Sequence, residues 1–169
     1  MKASDACISL IKKFETLHDG DLSHIGLQPK MCPAGYWTIG WGHVVMVGGR
    51  MLKGKADYEL AYHAYSNLSL EGAEELLRKD IEFFEDVLNS LKLNLSQNQF
   101  DALISLSFNI GSEAFRKSTL KKLIAGKAPK EAIQGAFMSW VYATIDGRKQ
   151  KLKGLIRRRE EEAKMYFLN

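Results

Sequence analysis

Cysteine and proline are scarce: 169 residues contain two cysteines, Cys7 and Cys32, and three prolines. Two thiols cannot form a disulfide framework, so the fold has to rest on its core, and synthesis in a reducing compartment is expected. No apolar run is long enough to cross a bilayer. The opening MKASDACISLIKKFE has neither a long apolar run nor a small-residue cleavage site, so no signal peptide is expected. An excess of one charge is nearly lacking too, since 24 basic and 20 acidic side chains leave only +4. That balance fits an anionic partner such as a bacterial wall, a membrane surface or nucleic acid, without choosing among them. Basic and acidic residues are interspersed, and helix-turn-helix, zinc and RNA-binding signatures are missing, so nucleic acid is not expected as the partner. There is no internal repeat and no low-complexity segment.

What is present is enough apolar matter for one compact domain, 46% of the chain. Cys7, Leu10, Ile11 and Phe14 form the stripe of an amphipathic helix capped by Ser4 or Asp5, with its end expected near Leu17 to His18. Cys7 lies on that stripe, as a buried small hydrophobe. Residues 18–31 lack periodicity and read as an ordered loop. Trp37, Ile39 and Trp41 alternate with Thr38 and Gly40, which predicts one strand from Tyr36 to about Val45. Val47-Gly48-Gly49-Arg50 reads as a hairpin turn, with Met51-Leu52 starting the return strand. Tyr58, Tyr62 and Tyr65 have the spacing of a short helix.

Ser69 caps a long helix to about Lys92. Ser96 and Gln99 match a capping box ahead of an almost wholly apolar core helix that stops at Gly111. Short helices at about 113–117 and 119–125, one from Pro129 to about Val141, a loop over 143–154 and a last helix from Leu155 to Phe167 complete the pattern. Helices with a small segregated antiparallel sheet make the fold class α+β.

Glu15 stands one turn after Ile11 and is expected in the last turn of the first helix. Partial burial and the negative end of the helix dipole would both favour its protonated form, which suits a general acid. The competing reading is a solvated glutamate at a helix edge. In the strand, the Thr38 hydroxyl can both donate and accept, so it can hold a water; the alternative is a β-branched residue chosen for packing. Gly40 and Gly42 suggest close approach by a ligand or another backbone.

Glu15 followed by Cys32-Pro33-Ala34-Gly35-Tyr36-Trp37-Thr38-Ile39-Gly40-Trp41-Gly42-His43 resembles the phage-type lysozymes, the endolysins of glycoside hydrolase family 24. The resemblance continues through LSQNQFDALISLSFNIG (95–111), AFRKSTLKKLIAGK (114–127), the Trp140 region and GLIRRREEEAKMYF (154–167), in the family's order. It implies a lysozyme-like fold. A small sheet lobe, about 18–68, and a mainly helical lobe, about 1–17 and 92–169, would be joined by a bridging helix at about 70–91, with a cleft between the lobes. It implies hydrolysis of the β-1,4 bond between N-acetylmuramic acid and N-acetylglucosamine in peptidoglycan. The family's pattern is a Glu, then an Asp or Cys, then a Thr, which makes Glu15 the proton donor and Cys32 and Thr38 the other catalytic positions. His43, Asn109 and Trp37 are the substrate-binding candidates, with Asn109 bonding sugar acetamido groups. By resemblance Arg157 or Arg158 reaches toward Glu15; as a bare run, Arg157, Arg158 and Arg159 read as a solvated face or an anion-binding edge. Gln99 is explained by its cap, and a hydrogen-bonded structural role suits His43 better than a ligand role.

This sequence departs from the pattern twice. Residues 16–31 separate Glu15 from Cys32, where the resemblance implies about eight residues, so the extra residues fall within His18 to Met31 and lengthen that loop. The second position is Cys, and a thiol with a free pKa of about 8.5 is a poor general base, so a water-placing role suits it better. Asp19 or Asp21 in the insertion could supply the missing carboxylate, though Asp-Gly-Asp is also an ordinary turn. His18, Asp19, Asp21 and His24 match no metal site of fixed spacing. No metal or cofactor is expected.

Attack by a held water predicts inversion. Two alternatives remain. A lytic transglycosylase would cut the same bond with Glu15 alone, and a wall-binding module would not cut it at all. A monomer without stable membrane association is expected. It would be held in the host cytoplasm until a holin-like partner releases it to the wall.

Overall fold

The computed structural model describes residues 1–20, 26–145 and 147–168. The chain divides into two compact units, one of Met1–Phe14 with Ile81–Asn169 and one of Glu15–Asp80.

The first unit opens with α1, Asp5–Phe14, whose Cys7, Ile8, Leu10 and Ile11 are buried. Ser4 starts it: its carbonyl accepts from Ile8 N and its hydroxyl from Ala6 N. Ser4 also donates through its backbone and its hydroxyl to the buried carboxylate of Asp101, which ties the start of α1 to the core helix. The helix ends at Phe14, short of the expected Leu17 to His18. The chain leaves it because His18 is already paired with Gly40, N to O at 2.7 Å and O to N at 3.1 Å, and an extended bridge cannot follow a helix without a break.

In the second unit β1 (Lys30–Met31), β2 (Trp37–Ile39) and β3 (His43–Val44) form an antiparallel sheet in that order. Lys30 faces Thr38, and Thr38 faces Val44. The single strand expected from Tyr36 to Val45 is therefore a hairpin. Gly40 and Gly42 lie at φ +60° and +87°, left-handed positions that turn the chain rather than extend it. Gly40 has a second reason to be glycine, because a Cβ there would come 3.0 Å from Ala73 Cβ. The expected next hairpin exists as β4 (Met46–Val47) and β5 (Arg50–Met51). Its loop is fixed by Asp57, which takes both Arg50 guanidinium nitrogens at 2.7 and 2.9 Å and Lys53 N at 2.7 Å. A single 3-10 turn, Lys55–Asp57, leads into α2, Tyr58–Ala64, where the Tyr58 and Tyr62 rings stack.

The long helix α3, Leu70–Ser90, begins in the second unit and ends in the first. The core of the first unit is α4, Gln97–Ile110, with eight successive residues from Phe100 to Ser107 buried. Its expected capping box is complete, with Ser96 Oγ accepting from Gln99 N and Gln99 Oε1 from Ser96 N. Helices α5 (Ser112–Lys117), α6 (Thr119–Ala125) and α7 (Lys130–Met138) follow, then α8 (Lys153–Tyr166), which packs along α4 and α7. Before α8, the expected loop over 143–154 is instead a hairpin of β6 (Tyr142–Ile145) and β7 (Arg148–Lys151). Gly147, at φ +74°, follows Asp146 in the sequence, and Asp-Gly is a strong hairpin signal.

The arginine run of α8 also differs from a solvated face. Arg157 is exposed, but Arg158 and Arg159 are buried. Arg158 Nε and Arg159 Nη1 lie 3.1 and 3.2 Å from the two oxygens of the buried Glu162, and Ser105 Oγ donates to it at 2.7 Å. Among the described residues no helix is long and apolar enough to cross a membrane.

Candidate active site

One residue of the expected triad, Cys32, lines a hollow of the second unit; Glu15 directly precedes Thr16 of that lining in the chain, and Thr38 lies in the sheet, bonded to His18 and Lys30 of the lining. The hollow measures about 430 Å³ and is lined by Thr16, Leu17, His18, Lys30, Met31, Cys32 and Pro33. Its walls are the segment after α1 on one side, and β1 with the turn beyond it on the other. That turn is held by Gly35 N donating to Cys32 O and Cys32 N to Tyr36 O, both at 2.8 Å, with Gly35 at φ +82°.

Glu15 is the residue immediately after α1 and is half-buried. The expectation that it lies within the last helical turn is thus corrected by one residue, for the reason given for the end of α1. Its charge acts on the imidazole of His18, three residues on.

Thr38 is 5% exposed, in the middle strand of the sheet. Its hydroxyl donates to Lys30 O at 3.0 Å and meets His18 Nδ1 at 2.7 Å. A hydroxyl has one hydrogen, and the Lys30 carbonyl can only accept. With that hydrogen given to Lys30 O, the bond to His18 requires a proton on Nδ1. His18 is therefore the Nδ1–H tautomer, and Nε2 carries the free lone pair. Burial lowers the His18 pKa from its ordinary 6.5, the positive charge of Lys30 lowers it further, and Glu15 pulls the other way. The imidazole is then neutral at neutral pH.

His18 is the functional-looking residue that sequence reasoning passed over, having weighed it only as a metal ligand. The sequence signal was its place three residues after Glu15 in the insertion. What it lacked was the bridge that sets His18 beside Gly40 and hence beside Thr38. Of the other insertion residues, Asp19 accepts Gln28 N at 3.0 Å. Asp21 and His24 lie outside the described residues, so the alternative roles suggested for them do too.

The substrate-binding candidates are dispersed. His43 Nδ1 faces both oxygens of Asp80 at 3.0 Å, and its Nε2 meets Tyr65 OH at 3.3 Å, so both nitrogens are engaged within the fold. Trp37 is buried, donates from Nε1 to Gly54 O at 2.8 Å and packs against the Tyr58 ring. Asn109 belongs to the first unit, where its Oδ1 accepts from Arg159 Nη2 at 2.7 Å. A hollow of about 370 Å³ in the first unit is lined by Lys130, Gln134, Met138, Phe167 and others. Its one carboxylate, Glu160, is exposed and has no imidazole or hydroxyl in the lining.

The phage lysozyme family model matches residues 23–162. The chain is 35% identical to an endolysin of Acyrthosiphon pisum secondary endosymbiont phage 1 over 170 residues, covering 98% of each chain. It is 34% identical to an endolysin of Bacillus phage B103, with 99% of this chain aligned to 54% of that longer one. Among solved structures, the muramidase domain of SpmX from Asticaccaulis excentricus superimposes with a TM-score of 0.77 at 32% identity, covering 99% of both chains.

Proposed function

Because this chain belongs to the phage lysozyme family, we infer that it is a peptidoglycan-degrading muramidase that hydrolyses the β-1,4 bond between N-acetylmuramic acid and N-acetylglucosamine. It is a glycoside hydrolase of the endolysin kind, and lysis of a bacterial cell is the outcome of its reaction.

Glu15 is the proton donor. Handing its proton to the glycosidic oxygen lets the leaving sugar depart as an alcohol rather than an alkoxide. On the water side stand Cys32 and His18 of the hollow's lining, with Thr38 behind His18, and they hold the attacking water. The observation that carries this reading is one hollow lined by Cys32 and by His18, whose ring Thr38 binds at 2.7 Å, directly after Glu15 in the chain. A water rather than a carboxylate on that side supports inversion at the anomeric carbon. The hollow's cation, Lys30, suits the carboxylates of peptidoglycan stems.

The whole chain works as one lysozyme-like domain and as a monomer, and its substrate is the wall rather than nucleic acid or membrane. It accumulates in the bacterial cytoplasm until a membrane-permeabilising partner such as a holin opens the way to the wall. Family membership supports the wall as substrate.

Digestion of purified peptidoglycan tests the reading. The wild type should release fragments with reducing muramic acid ends, and Glu15→Gln should be slower by about 10²–10⁴-fold, the usual worth of a general acid. Anhydromuramic ends would replace hydrolysis with transglycosylation, and equal clearing by the variant would defeat the enzymatic reading altogether.

A further inference from the structure

The family pattern provides no strong base on the water side of this site, since Cys32 stands at the second position and the one proton of Thr38 goes to Lys30 O. We propose that His18 is the general base, its Nε2 taking a proton from the attacking water while the hydroxyl of Thr38 fixes the ring from behind through Nδ1. The proposal rests on the muramidase reading above and assigns a catalytic role within it that the Glu, Cys and Thr positions leave open.

Three observations converge on it. His18 lines the hollow, whereas Thr38 is buried and does not. The Thr38 bond at 2.7 Å, with the hydroxyl's own proton committed to Lys30 O, forces the tautomer that leaves Nε2 as an acceptor. The backbone of His18 is clamped by its two hydrogen bonds to Gly40, so the ring is held at both ends rather than swinging on a loop. A base fixed in this way loses little entropy in meeting its water.

The step balances. The water oxygen bonds to the anomeric carbon while one water proton passes to Nε2. The bond from that carbon to the bridging oxygen breaks, and Glu15 gives its proton to that oxygen. The site is left as imidazolium and carboxylate, and transfer of one proton through solvent restores both.

The same environment keeps the base free at working pH. Among the described residues, the ionisable groups around His18 are Glu15 and Asp19 on its own segment, Lys30 on β1 and Cys32 in the following turn. Burial and Lys30 hold the imidazole below its ordinary value, against the pull of Glu15. Activity should therefore be lost on the acid side, as His18 takes up a proton below pH 6.5, its ordinary value.

The test compares wild type, Glu15→Gln and His18→Asn on purified peptidoglycan across pH. The Asn side-chain amide can still donate to Thr38 from the position of Nδ1, but it offers no base. The expected result for His18→Asn is a kcat lower by about 10²–10⁴-fold with little change in KM, and loss of the acid limb of the pH profile. A rate within about threefold of wild type, with the acid limb kept, would overturn the proposal; if Glu15→Gln were still inactive, the muramidase reading would survive it. Should Glu15→Gln match wild type, both would fall. If His18→Asn does not fold, nitrogen NMR of the wild-type imidazole decides instead. Protonation at Nδ1 and titration matching the acid limb of kcat support the proposal. Protonation at Nε2, or titration apart from that limb, overturns it.

Discussion

Arg158 Nε lies 3.1 Å from Glu162 Oε1, and both side chains are buried in the first unit. Arg159 approaches the second oxygen of the same carboxylate. Burial alone would push the Glu162 carboxyl upward, and the two guanidiniums and Ser105 Oγ oppose that push. Such an arrangement is tolerable only while it is complete, because removing one member strands the others in a medium that cannot solvate them. Glu162→Gln should therefore cost roughly 3–5 kcal/mol, read as a lower urea midpoint with an unchanged slope. A midpoint equal to wild type would show that the charges are compensated elsewhere.

A second charge pair makes a prediction about pH. Asp57 is held at about 2, below its ordinary 3.8, first by the Arg50 guanidinium and then by the backbone N–H of Lys53. Because the folded value is the lower one, the pair's stabilisation is fully present above pH 4 or so and disappears as pH falls toward 2. Asp57→Asn should lower Tm at pH 7, and the gap to wild type should narrow steadily between those two limits. A gap that stays constant would mean that the loop's packing, and not its charge, sets the difference.

Glycine positions separate two causes of strain. Gly40 and Gly42 both have positive φ, but only Gly40 has a neighbour, Ala73 Cβ, at 3.0 Å from where its own Cβ would be. A side chain at Gly42 would meet nothing within 4 Å. Gly42→Ala should cost about 1–2 kcal/mol, the backbone penalty of the left-handed region alone. Gly40→Ala should cost more and should also loosen the His18 bridge, since Gly40 accepts from and donates to that backbone. Thermal unfolding of the two variants side by side checks the order, and equal losses would remove the role given to Ala73.

The elements that sequence revealed well are those with a local cause. The stripe of α1, the Ser96–Gln99 box and the apolar α4 are each written within one helix's length, and each is found where expected. Part of what escaped detection depends on residues distant in the chain. The end of α1 is set by Gly40, 22 positions after His18, and the break in the Trp37–Trp41 alternation by glycine backbone angles that a hydrophobic pattern does not register. Arg158 and Arg159 read as surface charges because their partner, Glu162, is also charged, and three arginines followed by three glutamates look the same in sequence whether buried or exposed. The site divides along the same line. Cys32 and Thr38 are marked by the resemblance's spacing and Glu15 by its order, whereas His18 becomes meaningful only once the sheet has brought Thr38 to it.

Thr38 itself distinguishes a residue that holds water from one that holds the base. If its hydroxyl serves mainly to orient His18, then Thr38→Val removes the acceptor for Nδ1–H and the donor to Lys30 O, leaving two polar groups short of a partner. The expected stability loss is about 1–3 kcal/mol. The ring, no longer fixed in one tautomer, should be a poorer base, so kcat should fall while KM holds. Thr38→Ser keeps the hydroxyl and should keep both the rate and the tautomer seen by NMR, whereas a role carried by the threonine methyl would leave Ser impaired and Val, which keeps that methyl, close to wild type. Cys32→Ala should fall well short of the loss in His18→Asn, because a thiol that lines the hollow without acting as the base can be removed without stopping proton transfer. The reverse order of those two variants would place the base on sulfur, and Thr38 would then be a strand residue whose hydroxyl merely satisfies Lys30.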